Sequence, residues 1–199
     1  MEKSNLSNEK LLAYMYDFYN ANTLKNQNDD ITYYINYIKE YHAKNTLVVG
    51  AGTGRVAIPI SEFTNVVALD IDNERLKILK SKNNKIEIVN DDILNYISNK
   101  KYDLIIFPYS VIQFYPNMIN IDRILQVLIK LLDENGTIVF DFSENFNNKE
   151  DTIHLYLFEN YCQDLKKDIK VFYSSYKKAK TIEFKVEYVI DNQTLIETE

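Results

Sequence analysis

Three of the four glycines in this 199-residue chain, Gly50, Gly52 and Gly54, fall within the run T-L-V-V-G-A-G-T-G-R-V-A-I-P-I from Thr46 to Ile60. The apolar, β-branched Leu47-Val48-Val49 before them reads as a buried parallel strand, and Val56, Ile58, Ile60 and Phe63 after them as a short packed helix. Glycine tolerates the positive φ of such a turn and lets backbone lie directly against a ligand. The helix that follows would offer unpaired N–H groups to an electron-rich group. The dinucleotide fingerprint needs glycine at position 55, where this chain has Arg55. Asp70 stands twenty residues after Gly50, the distance at which a ribose-binding α/β unit carries an acid at the tip of its second strand. A turn that merely packs a helix on a sheet would not require that acid.

Composition narrows the classes. Apolar residues make up 46% and charged residues 26%, ordinary for a globular protein large enough for a real core. A net charge of -6 gives no general electrostatic footprint for nucleic acid. The single cysteine, Cys162, leaves no internal disulfide, and His42 and His154 lack metal-ligand spacing, so no metal is expected. No apolar run reaches membrane-spanning length, and the M-E-K-S-N start has no signal-peptide pattern, so the expected address is cytoplasmic.

The elements that must position the glycine turn alternate regularly. Leu11 to Tyr19 and Ile31 to about His42 carry helical periodicity and predict a helical cap over residues 1–44. A core over 45–143 follows, with strands at Thr46–Val49, Asn65–Asp70, Lys85–Val89, Tyr102–Phe107 and Thr137–Phe142. Helices are expected at Asn73–Lys82, Leu94–Ser98 and Ile119–Leu132, with a turn at Asp133–Gly136. The pattern predicts one domain: an α/β, Rossmann-like open parallel sheet with helices on both faces, binding its ligand beyond the carboxyl ends of the strands.

Residues 150–199 read as a C-terminal antiparallel elaboration. Ile153 to Leu165 fits helix or strand, whereas Ile169–Ser174 and Thr181–Val189 are clearer strands joined by a hairpin at Tyr176–Lys180. These strands either complete a seven-stranded sheet or form a separate antiparallel layer.

The pieces V-V-G-A-G-T-G-R (48–55), A-L-D-I-D (68–72), V-N-D-D-I (89–93), K-Y-D-L-I-I-F-P (101–108) and L-L-D-E-N-G-T-I-V-F (131–140) populate all five strand ends in order. In that order they resemble the class I S-adenosylmethionine-dependent methyltransferases, in particular the small-molecule branch that includes amino-sugar N-methyltransferases. The resemblance implies S-adenosyl-L-methionine as cofactor and a small molecule, methylated on N or O, as substrate. Gly50, Ala51 and Gly52 would lie under its amino acid tail and sulfonium, Asp70 would take the ribose diol beside Ile71, and Asp92 with Ile93 the adenine. Phe107 would offer its carbonyl to the cofactor's ammonium, Tyr16 in Y-M-Y-D would close over the methionine end, and Tyr34 would be a second lid residue.

The acceptor side would be lined by Tyr109, Ser110 and Gln113 in F-P-Y-S-V-I-Q-F, with no catalytic base identified. Enzymes that methylate nucleic-acid amines carry Asn or Asp where this chain has Phe107, which counts against a DNA or RNA base. The competing reading of Asp70 and Asp92 is helix capping, since both precede predicted helices. The resemblance also favours the separate antiparallel layer. The fifth strand would then be an open sheet edge, to be covered by a second copy or a related subunit. Two rival functions stand beside this one: a non-catalytic, methyltransferase-like subunit that supports a partner, and a nucleotide-dependent oxidoreductase, which Arg55 and Asp92 disfavour.

Overall fold

The computed structural model describes residues 6–25, 28–115, 117–142, 151–178, 181–191 and 193–198. They divide into two compact units, Leu24–Phe142 and a second made of Met1–Thr23 with Ser143–Glu199.

The first unit holds a five-stranded, all-parallel sheet. Its strands are β1 (Asn45–Val49), β2 (Asn65–Asp70), β3 (Glu87–Asn90), β4 (Tyr102–Phe107) and β5 (Leu132–Phe140), in the order β3-β2-β1-β4-β5. The chain runs from β1 outward to β3, then returns to start β4 on β1's other side. Strand order therefore reverses between β1 and β4, and ligands of such sheets bind in the crevice opened there.

Both faces are covered, as the unbroken apolar runs of β1 and β4 require. On one face helix α2 (Asp29–Tyr41), the single turn α3 (Ala57–Ile60) and helix α4 (Asn73–Lys82) bring Tyr34, Ile38, Ile60, Leu76 and Leu79 onto Val48, Ala68, Leu104 and Ile106. On the other face helix α5 (Met118–Leu131) sets Ile124, Leu128 and Leu131 against Leu47, Val49, Ile105 and Phe107.

Two local expectations are corrected. Residues 94–98 form no helix: the N–H groups of Asn95 and Tyr96 close one turn on the Asp92 carbonyl at 2.9 and 3.0 Å, and the chain then runs directly to β4. Strand β5 starts at Leu132, opposite Tyr102, and pairing resumes only at Thr137, opposite Leu104. The expected turn at Asp133–Gly136 is a bulge within this strand, and a Cβ on Gly136 would lie 2.6 Å from the Tyr102 carbonyl oxygen.

The second unit holds helix α1 (Asn8–Thr23) and a four-stranded antiparallel sheet of its own, β6 (Thr152–Cys162), β7 (Lys167–Lys177), β8 (Ile182–Ile190) and β9 (Gln193–Thr198). Met15 of α1 packs with Cys162, Ile169, Val171, Tyr188 and Ile190 on one face of that sheet. Of the two arrangements open from the sequence, the separate antiparallel layer is the one observed. The ambiguity of residues 153–165 has a physical cause: β6 shifts register against β7 twice, between Thr152 and Leu155 and again between Tyr156 and Phe158. Each shift breaks the two-residue alternation that marks a strand. The final strand β9 was not foreseen.

No described helix is long and apolar enough to cross a membrane. Among the described residues no group of three His, Cys, Asp or Glu side chains could hold a metal ion.

Candidate functional site

Gly50, Gly52 and Gly54 all take positive φ, at 71°, 53° and 97°, in the turn that leaves β1. The N–H groups of Gly50 and Ala51 donate to the Leu69 carbonyl at 2.9 and 3.0 Å, hanging the turn on the end of β2. A Cβ on Gly50 would lie 2.5 Å from Val111 Cγ2, and one on Gly54 2.7 Å from Ile58 Cδ1. The close approach at Gly50 is therefore made by Val111 of the segment after β4. The segment after the turn is a single helical turn, Ala57–Ile60, with no dipole of consequence, so backbone N–H groups act here individually.

Asp70 closes this turn from β2. It is 8% exposed, its Oδ2 accepts the Gly52 N–H at 2.7 Å and its Oδ1 the Asp72 N–H at 2.8 Å. Burial pushes its carboxyl above the ordinary carboxylate value, and those two N–H groups oppose the rise. The capping alternative fails for Asp70, because α4 is capped by Asp72, whose Oδ1 accepts from Glu74 N–H and Arg75 N–H at 2.9 and 3.0 Å. Each Asp70 oxygen keeps a lone pair, which is what a vicinal diol requires. Ile71 beside it is 72% exposed and can lie along a ligand.

The Asn90 side chain bridges the ends of β3 and β2, donating to the carbonyls of Asp70 at 3.0 Å and Ile71 at 2.8 Å. Asp91 uses its own carboxylate on the Asp92 N–H, at 2.8 Å. Asp92 Oδ1 accepts from Leu94 N–H and from the Tyr115 hydroxyl, each at 2.9 Å, while Oδ2 takes no hydrogen bond from the described residues. Ile93 is wholly buried in the core under α5, so what it can offer a base is backbone.

At the end of β4, Phe107 is buried and its carbonyl accepts the Asp141 N–H at 3.3 Å, with a second lone pair remaining. Tyr109 and Ser110 follow at φ 55° and 59°, a region that costs residues with a Cβ. The Asp141 carboxylate holds them there, Oδ2 accepting Tyr109 N–H at 2.6 Å and Oδ1 accepting Ser110 N–H. The Tyr34 hydroxyl also donates to Asp141 Oδ2, at 3.3 Å, and burial followed by the Asp141 charge keeps that phenol protonated. Arg55 makes a doubly hydrogen-bonded pair with Asp30, one leg at 3.2 Å, and its guanidinium stands 5.5 Å from the centre of the Tyr109 ring. Gln113 sits half-buried in the 3-10 turn Val111–Phe114.

The structure thus brings Gly50, Ala51, Gly52, Asp70, Ile71, Asp92, Ile93, Phe107, Tyr109, Ser110, Gln113 and Tyr34 into one unit, at or beside the carboxyl ends of its strands. Tyr16 lies half-buried on α1, in the other unit. Sequence reasoning missed Asp141, Tyr115 and the Asp30–Arg55 pair. Asp141 had a usable signal, an acid ending an apolar strand as Asp70 does. Tyr115 had none.

Residues 47–136 match the model of a methyltransferase domain family. That stretch carries the glycine turn, both carboxylates and the segment after β4. S-adenosyl-L-methionine is the cofactor expected for that family. Among solved structures, an S-adenosylmethionine-dependent methyltransferase from Clostridium acetobutylicum is similar at 14% identity and TM-score 0.73, over 93% of this chain and 79% of that one. A sugar N-methyltransferase from Streptoalloteichus is similar at 12% identity and TM-score 0.76, over 92% and 75%. An amino pentose methyltransferase from Micromonospora echinaspora, solved with S-adenosylmethionine bound, is similar at 13% identity and TM-score 0.68, over 86% and 74%. At such identities these likenesses establish the fold. No curated protein matches the chain in sequence.

Proposed function

We propose that the chain transfers a methyl group from S-adenosylmethionine to a nitrogen or oxygen atom of a small molecule. The observation that carries this reading is the buried Asp70 carboxylate, tied to Gly52 at the crevice where strand order reverses, with Asp92 Oδ2 taking no hydrogen bond from the described residues at the next strand end. The sugar-modifying neighbours support a small, amine-bearing acceptor.

Bound S-adenosylmethionine supplies a methyl carbon already activated by its sulfonium. What remains for the protein is alignment and exclusion of water. In this reading Asp70 grips the ribose diol, Asp92 the purine amine, and the turn Gly50–Gly52 lies under the methionine end. The Phe107 carbonyl receives the ammonium on its remaining lone pair. Tyr109, Ser110 and Gln113 line the acceptor, and Tyr34 stands beside them. Titration calorimetry with S-adenosylmethionine, S-adenosylhomocysteine and NAD tests the reading. Binding of the first two, lost in Asp70→Ala, supports it, and binding of NAD alone overturns it.

Strand β5 ends the parallel sheet with no strand on its outer side among the described residues. Open edges of apolar strands are usually covered. The chain accordingly self-associates, or joins a related subunit that it supports, through this edge. A mass that stays monomeric at every concentration in light scattering, with turnover by the chain alone, would rule out this association and leave the methyl-transfer reading intact.

A further inference from the structure

Asp92 is held in an asymmetric way that the cofactor reading does not by itself require. Two donors, Leu94 N–H and the Tyr115 hydroxyl, converge on Oδ1 at 2.9 Å each, while the Asp92 N–H is fixed by Asp91 at 2.8 Å. An ionised carboxylate has about two acceptor positions on each oxygen, so Oδ1 is filled, while among the described residues Oδ2 keeps both of its own. Tyr115 is itself braced. It closes the 3-10 turn Val111–Phe114, donating its N–H to the Ile112 carbonyl at 3.2 Å, and its ring packs on the core that holds Ile93 and Ile112. Burial, then the hydrogen bond to Asp92, hold its hydroxyl well above the ordinary phenol value, so the oxygen keeps its proton and acts as donor.

We propose that Tyr115 is a positioning residue for base recognition: by occupying Asp92 Oδ1 it turns Oδ2 toward the exocyclic amine of the purine. The site then selects adenine over a base with oxygen at that position, whose lone pairs would face a carboxylate oxygen. This inference rests on the cofactor reading above. It gives Tyr115 an effect on which base is bound, beyond any on how firmly the segment packs.

The test compares two ligands on the full chain by titration calorimetry: S-adenosylhomocysteine and S-inosylhomocysteine, which differ by an amine against an oxygen on the purine. A charge-assisted hydrogen bond exchanged for a repulsive contact should give wild type a preference of about tenfold or more for the adenine ligand. Tyr115→Phe removes one oxygen atom and no packing carbon. It should cut that preference by about threefold or more, through weaker binding of the adenine ligand, with the inosine ligand within about twofold of wild type. Tyr115→Met provides a second hydroxyl-free variant should the first melt early, and must give the same selective loss. A preference unchanged in both variants, or an equal loss for both ligands, overturns the inference while leaving the cofactor reading in place. A wild-type chain that binds neither ligand overturns the cofactor reading and this inference with it.

Discussion

Asp141 Oδ2 lies 2.6 Å from the backbone nitrogen of Tyr109, and through that bond the end of β5 dictates the backbone after β4. Two consecutive non-glycine residues, Tyr109 and Ser110, sit at positive φ, and one carboxylate accepts both of their N–H groups. Replacing Asp141 with Ala leaves both donors without their carboxylate acceptor. The expected cost is about 2–3 kcal/mol in urea unfolding. S-adenosylmethionine affinity should fall less than about threefold, because Asp70 and Asp92 are untouched. A variant with wild-type stability would refute the clamp.

Asp70 should make the unliganded chain and its complex respond to pH in opposite directions. Burial raises its carboxyl above the ordinary value of about 3.9. A raised folded-state value means that the stabilising contribution is complete below the unfolded pKa and is lost as pH rises through the folded one. Compared with Asp70→Asn, whose side chain does not titrate, wild-type melting temperature should therefore decline from about pH 4 upward. The diol prefers the ionised form, so affinity for S-adenosylhomocysteine should rise over the same window. In Asp70→Asn it should be weaker by about tenfold or more and should lack that Asp70-dependent rise. A wild-type-minus-variant melting difference that grows with pH would contradict the assignment.

The Gly50–Val111 contact can be dissected with a double-mutant cycle. Gly50→Ala places a methyl 2.5 Å from Val111 Cγ2 at a φ of 71°. Overpacking costs about 1–3 kcal/mol and the left-handed backbone about 1–2 kcal/mol. Adding Val111→Ala should recover the first part and leave the second, a coupling of about 1 kcal/mol or more by thermal melts. Strict additivity would mean that the two residues do not touch.

Gly136→Ala should behave differently, since the obstacle is backbone. Its methyl would meet the Tyr102 carbonyl oxygen at 2.6 Å, and no side-chain change can relieve that. A loss of about 2 kcal/mol or more is expected. Hydrogen exchange should speed up at the β4–β5 pairing around Leu104 and Thr137. Unchanged protection there would exclude the bulge geometry.

Much of this protein was readable from local chemistry. Buried parallel strands need unbroken apolar runs, and β1, β2 and β4 have them, so their positions and the glycine turn between β1 and α3 could be found without coordinates. Asp70 was legible for the same reason, as an acid at a strand tip at ribose distance from Gly50. Strand β6 was not, because its two register shifts erase the alternation by which a strand is recognised. Long-range pairings lay further out of reach. Asp141 meets Tyr109 only when β5 lies beside β4, and Tyr115 meets Asp92 only when the segment after β4 passes the end of β3. Residue order determined which strand ends carry carboxylates. The tertiary structure alone decided which backbone donors and hydroxyls those carboxylates hold, because hydrogen bonds join neighbours in space, and strand order sets who the neighbours are.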